Sequence, residues 1–346
     1  MRILVDMGHP GHVHFFRHAL RELESKGNEI LICARDKDVT LGLLDHYQFP
    51  YITLSKMAQG TLGLSREFIR REWKLMRLIR SFDPHIITAI GGLFIAPVAR
   101  LMNTPSIVFT DTEKVPLDTY LTYPFANAIA TPDCFLKNLK GRHLRYAGLH
   151  ELAYLHPNHF APDPNVLTEL GVTAKERFFI LRFVAWQATH DIGQHGFSLA
   201  FKKKLIEKLA VRGRVFISSE GHLPSAFDSY RLRLPPHKIH HALHYASLVI
   251  GEGATMATEA GILGTPSIYT SSLALNLGNF IELMNRYGLV LSFPDQEQAL
   301  STALALVTDG TAKDKWKQRR ENLLAEKIDV TAYVVDLLEN YTGFIH

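Results

Sequence analysis

The sequence predicts an α/β fold made of two doubly wound, parallel-sheet domains. Apolar runs of strand length alternate with helical patterns along the whole chain. The chain has 346 residues, 47% hydrophobic and 21% charged, enough apolar material for two cores. The third observation is the stretch from Leu248 to Ile268, which places an apolar strand, a small-residue turn, a short helix and a second strand in direct succession.

The first-half strands are predicted at Ile3–Asp6, Glu29–Cys33, Tyr51–Leu54, Ile86–Ile90, Ser106–Phe109 and Ala128–Ala130. Helical patterns fall at Val13–Lys26, Leu64–Arg80 and Ala96–Leu101. In the second half the strands are Phe178–Arg182, Val215–Ser218, Leu248–Ile250, Ser267–Tyr269 and Leu289–Leu291. Helices there are Gly196–Arg212 and Phe280–Tyr287, and the tail is helical over Val330–Leu338. The segment Leu149–Pro164 is rich in His, Asn and Pro and reads as the domain connection. The expected domains are 1–155 and 165–328, with 329–346 as a terminal helix. Two such Rossmann-like domains are expected to turn their strand ends toward a shared cleft, so the loops after strands are where chemistry belongs.

A net charge of +4 makes no demand for nucleic acid as partner. Cys33 and Cys134 lack CxxC spacing and read as reduced core residues, which suits a cytoplasmic protein. No run is long and apolar enough to cross a bilayer.

After the strand at Leu248, the loop Gly251-Glu-Gly-Ala-Thr255 leaves main-chain N–H groups at a helix start, where the macrodipole is positive. Such a place binds phosphate, and glycine lets the phosphate approach. Glu259, one turn on, is placed to accept hydrogen bonds from ribose hydroxyls. Met7-Gly-His-Pro-Gly-His-Val-His14 follows the first strand and carries Gly11 and three histidines, but no dinucleotide fingerprint. At least one of His9, His12 and His14 is expected to act as base or phosphate donor, the others capping or packing. Gly91-Gly92 either offers amides to a ligand or only makes a tight turn. Asp111 and Glu113 either divide acid and base roles, or one of them caps the next element. Arg182 ends a strand, with Trp186 and His190 in the following loop; it could clamp a diphosphate or form a salt bridge. His240 and His244 have ligand-like spacing, but no carboxylate pattern accompanies them, so a surface or packing role is expected and no metal. The helix from Ser65 to Arg80 is basic and amphipathic; it is either a solvated face or a contact for anionic lipid.

Asp6, His12-Val-His-Phe-Phe16, Asp111-Thr-Glu113, Arg182-Phe-x-x-Trp186 and Gly251-x-Gly-x-Thr-Met256 with Glu259 together resemble a prokaryotic family of the GT-B superfamily of nucleotide-sugar enzymes. The resemblance covers nearly the whole chain. Parts are similar to the glucosaminyltransferase that completes lipid II and to the non-hydrolysing UDP-N-acetylglucosamine 2-epimerase. It implies that Gly253, Ala254 and Thr255 hold the diphosphate and Glu259 the ribose, with Pro236–Ile239 near the base. It also implies a last helix returning to the first domain. Epimerase patterns carry a Gly-Gly pair here, which Glu252 interrupts.

The function expected is a metal-independent glycosyltransferase using a nucleotide-sugar, UDP-linked, as substrate and no cofactor. The acceptor is a saccharide or a lipid-linked molecule, which would bring the protein to the inner face of the membrane. His12, His14, Asp111 and Glu113 are the catalytic candidates. Gly11, Arg182, Trp186, His190 and Gly253 to Met256 with Glu259 are the nucleotide-sugar candidates. The alternatives are a UDP-N-acetylglucosamine 2-epimerase and a non-catalytic nucleotide-sugar binder.

Overall fold

A computed structural model of the chain describes residues 1–184, 197–219, 221, 223–270 and 277–345. The chain divides into two compact units. The first takes Met1–Phe160, Leu277–Asn279 and Lys327–His346, and the second takes Ala161–Asn276 and Phe280–Glu326.

The first unit is built on a seven-stranded sheet of β1 (Arg2–Met7), β2 (Glu29–Asp36), β3 (Tyr51–Lys56), β4 (Ile86–Ile90), β5 (Ser106–Phe109), β6 (Ala128–Pro132) and β7 (His143–Tyr146). The order is β3-β2-β1-β4-β5-β6-β7 and every pairing is parallel. The helices between are α1 (Pro10–Ser25), α2 (Thr40–His46), α3 (Gly60–Phe82), α4 (Ala96–Leu101), α5 (Pro116–Leu121) and α6 (Leu152–Leu155). Leu4, Cys33, Ile87 and Val108 of the sheet pack against Leu75 and Ile79 of α3 and Val98 of α4.

The second unit carries β8 (Phe178–Phe183), β9 (Arg214–Ser219), β10 (Leu248–Gly251), β11 (Ser267–Thr270) and β12 (Leu291–Phe293), in the order β12-β11-β10-β8-β9, again all parallel. Its helices include α7 (Asn165–Leu170), α8 (Leu199–Ala210), α9 (Ile239–Tyr245) and α10 (Ala254–Ile262). After α11 (Gly278–Ile281) come α12 (Gln296–Thr308) and α13 (Ala312–Glu326). Leu205 and Leu209 of α8 and Leu300 and Ala303 of α12 close over Leu181, Ile217 and Ile250. The last helices, α14 (Val330–Glu339) and α15 (Tyr341–Ile345), belong to the first unit, and α14 lies on α1 and α6.

Parallel strands covered on both faces read as continuous apolar runs, and nearly all of them lie where the sequence predicts. The exceptions have physical reasons. β7 was not foreseen because it is a half-exposed edge strand, His143-Leu-Arg-Tyr146, with no apolar run to announce it. β12 begins two residues past Leu289; Leu289 and Val290 are buried before it, and the Leu289 amide bonds Leu283 O instead of a strand. Leu149–Pro164 is not simply a connection. Leu149, Leu152, Ala153 and Leu155 are buried, α6 packs on α1 and α14, and the units divide after Phe160. Helix α3 is longer than its sequence pattern and turns two charged residues inward. Arg71 pairs with Asp6 at the end of β1, and Glu67 takes Arg35 at 2.6 Å. Cys33 is buried, whereas Cys134 is only half-buried.

Candidate functional site

In the first unit the candidates gather at the carboxyl ends of β1 and β5. His9 is the N-cap of α1, and its Nδ1 accepts the Gly11 amide at 3.1 Å. That bond occupies the amide of Gly11, one of the nucleotide-sugar candidates. His12 sits in the first turn of α1, where its Nδ1 accepts the Gly8 amide at 3.2 Å. The ring proton is therefore on Nε2, so His12 presents a donor rather than a lone pair. Burial pushes its imidazole down to about 3, with His9 adding to the fall, so the ring is neutral near pH 7.

His14 does not join His12. Two residues along an α-helix turn the side chain about 200°. His14 is buried against Tyr154 of α6, ring centroids 5.4 Å apart, and faces Tyr47 at 6.3 Å. Its ring thus lies against α6 and the end of α2 rather than beside His12.

The two acids after β5 also part company. Glu113 is buried, and its Oε1 accepts the amides of Leu136 and Gly278, each at 3.0 Å. It ties the Leu277–Asn279 crossing to the first unit, and its Oε2 has no partner among the described residues. Asp111 keeps 23% of its side chain exposed. Its Oδ1 accepts the Thr112 hydroxyl at 3.0 Å, and its Oδ2 stands 3.4 Å from His150 Nδ1. His150 is buried between Phe15 and Tyr146, and its Nε2 has no partner among the described residues. Burial pushes its imidazole down, and Asp111 opposes that. The His150 ring is thus in electrostatic reach of Asp111 and of His12.

The Gly91-Gly92 turn is sterically required. Gly92 has φ +62°, and a Cβ there would press on Thr122 at 2.7 Å. The Thr122 hydroxyl spans Gly91 O at 3.2 Å and Asp118 Oδ1 at 2.9 Å. Burial raises the Asp118 carboxyl to about 6.

In the second unit the glycines of the phosphate-type turn have an unexpected first use. Gly251 pairs with Arg182 across β8 and β10, where any Cβ would strike the Arg182 backbone. A Cβ on Gly253 would stand 2.7 Å from Arg182 Cγ and 3.2 Å from its Nε. Gly251 thus lets β10 close on β8, and Gly253 leaves room for the Arg182 side chain at the start of α10. The N-cap of α10 is Gly253, which has no side chain to accept the first-turn amides of Ala254, Thr255 and Met256. A guanidinium and the positive end of a helix dipole therefore converge on one place, an arrangement an anion relieves. Arg182 Nη1 also donates to Ser218 Oγ at 2.9 Å, which fixes the fork. Glu252, between the glycines, is buried and points elsewhere. It accepts the amides of Val184, at 3.1 Å, and of Phe197. Trp186 and His190 lie outside the described residues.

Glu259 is buried on the next turn of α10, with Oε1 3.0 Å from His240 Nε2 of α9. His240 was expected at a surface or in packing; it is a buried partner that aims this carboxylate. The sequence did not single out His150, Ser218 or His240 for these roles. Each gains its partner from a distant element, and only the habit of histidine to pair with buried acids hinted at two of them.

Two all-parallel, doubly wound units with a terminal helix returned to the first make this a GT-B-like fold. The chain belongs to the family described as "Protein of unknown function (DUF354)", which it matches over residues 1–341. It is 25% identical over 279 residues to "Uncharacterized protein MJ0665" of Methanocaldococcus jannaschii, covering 77% of this chain and 80% of that protein. Among solved structures it is similar to the spinosyn rhamnosyltransferase SpnG. For the complex with spinosyn aglycone the TM-score is 0.64 at 15% identity, over 98% of this chain and 100% of that one. SpnG is also known complexed with thymidine diphosphate. The UDP-GlcNAc 2-epimerase of Neisseria meningitidis, bound to UDP-GlcNAc, gives a TM-score of 0.69 at 11% identity over the same shares. At these identities the likeness is one of fold.

Proposed function

We propose that the chain is a glycosyltransferase that takes its sugar from a nucleoside diphosphate, UDP in the first instance. The observation that carries the reading is the meeting of Arg182 with the glycine-capped start of α10. The diphosphate lies on the amides of Ala254, Thr255 and Met256 with Arg182 clamping it, and Glu259, aimed by His240, takes the ribose. SpnG, with a similar fold, holds thymidine diphosphate, which supports a nucleotide in this role.

In the reaction, an acceptor hydroxyl gives its proton to the Asp111 carboxylate, held by His150. The oxygen lone pair attacks the anomeric carbon. The bond from that carbon to the diphosphate oxygen breaks, and the electron pair leaves on the diphosphate. Arg182 and the α10 amides meet the departing charge, so the reading requires no metal ion and no cofactor. His12, as an Nε2–H donor, orients acceptor or donor oxygen rather than taking the proton. The acceptor is a saccharide or a lipid-linked hydroxyl.

The second reading, a UDP-sugar 2-epimerase, is favoured by two carboxylates at one strand end and by the likeness to the Neisseria enzyme. Incubation with UDP-N-acetylglucosamine alone separates the two. A transferase leaves the sugar nucleotide intact until an acceptor is added. Formation of the manno epimer without acceptor overturns transfer. The nucleotide site itself is tested by thermal shift across UDP-, dTDP-, GDP- and CMP-sugars. Ligand at a hundredfold its Kd adds about 2.7 kcal/mol, and no shift with any of them overturns both readings.

A further inference from the structure

The outward face of α3 pairs apolar bulk with positive charge. Leu62 is 78% exposed, Ile69 67% and Trp73 52%. At about 100° per residue these three lie within roughly 40° of one another, with Arg66 and Arg80 in the same sector and Arg77 and Arg70 beside it. Glu67, Arg71, Leu75 and Ile79 hold the opposite side of the helix in the protein. Every exposed charged side chain of α3 is cationic, namely Arg66, Arg70, Lys74, Arg77 and Arg80. The Arg77 guanidinium lies over the Trp73 ring, 3.4 Å from its centroid. A helix that already has an inward face does not need a second apolar stripe for folding.

We propose that this face of α3 docks the protein on the surface of an anionic lipid bilayer. The charge is complementary to phosphate headgroups, and arginine stems can cover apolar surface while their heads stay among phosphates. Leu62, Ile69 and Trp73 enter the boundary between headgroups and acyl chains, the depth at which tryptophan settles. A convex stripe of this kind suits a flat, deformable surface better than a groove-forming protein partner. A nucleic acid would use the arginines and leave Leu62 and Ile69 in water. The inference stands on α3 alone and does not depend on the proposed reaction.

The test uses the full chain and sedimentation with two sets of vesicles, phosphatidylcholine alone and phosphatidylcholine mixed with phosphatidylglycerol. The expected result is binding to the anionic vesicles only, weakened by salt. Ile69→Glu with Trp73→Glu abolishes it, and each of Arg66→Ala, Arg70→Ala and Arg80→Ala lowers partitioning by about fivefold. Thermal midpoints close to wild type establish that these surface variants are folded. Equal binding to both vesicle types, no binding, or variants that bind like wild type overturns the inference. So does retention on heparin through the same arginines with no vesicle binding, or a wild-type dimer that Trp73→Glu splits.

Discussion

Arg182 and Gly253 are packed so closely that the glycine has no room for a methyl group: a Cβ would lie 2.7 Å from Arg182 Cγ. The glycine at the mouth of α10 thus makes room for the arginine. Gly253→Ala is expected to cost about 1–3 kcal/mol through overpacking. It also swings the guanidinium away and weakens UDP or dTDP binding. Calorimetric titration with either nucleotide checks this; an unchanged Kd would dissociate Arg182 from the site.

The division between Asp111 and Glu113 predicts two phenotypes. Asp111→Asn should reduce kcat by about 10²–10⁴ with the thermal midpoint retained. Glu113→Ala strips the Leu136 and Gly278 amides of their acceptor and should lower stability by about 1–3 kcal/mol. Denaturation curves beside steady-state rates distinguish the two, and the assignments reverse if Glu113→Ala is stable but inactive.

Asp329 is a hub for the returning helix. It N-caps α14 through the amides of Thr331 and Ala332 and receives Asn158 Nδ2 and His159 Nε2 at 2.8 and 2.9 Å. Burial opposes its charge, but the bonds from Asn158 and His159 prevail and hold the carboxyl below its usual range. A depressed carboxyl adds stability above the unfolded value near pH 4, which is lost as pH falls through the folded one. Asp329→Ala should cost about 2–3 kcal/mol at neutral pH. Urea titrations at neutral pH and near pH 3 check both statements, and the difference between wild type and variant should shrink in acid.

Buried histidines predict a second acid sensitivity, one that begins at higher pH. Burial pushes His12 and His18 down to about 3 and His244 to about 4. The unfolded chain therefore takes protons first as pH drops below about 6.5, so stability falls from there toward pH 4. Thermal midpoints should drop between about pH 7.5 and pH 5, and His18→Gln should flatten the slope. A flat wild-type profile across that window would contradict it.

Much of this architecture can be read from residues alone, because buried parallel strands announce themselves as apolar runs such as Phe178-Phe-Ile-Leu181. The loops after β1, β5 and β10 follow from the same logic. Pairings across distant elements do not. Nothing near His150 in sequence points to Asp111, and nothing near Glu259 points to His240. Arg71 and Glu67 look like surface charges until Asp6 and Arg35 meet them inside. Nor does a loop crowded with histidines say which ring faces where: helical geometry turns His14 onto Tyr154 and away from His12.

The placement of Lys327–His346 in the first unit bears on how the molecule is made. A ribosome releases residues 161–326 before it delivers the helix that covers α1 and α6. The nascent first unit must wait with that apolar groove open, while its neighbour can finish. Holdase chaperones and C-terminal nicking should therefore strike the earliest-synthesised half hardest.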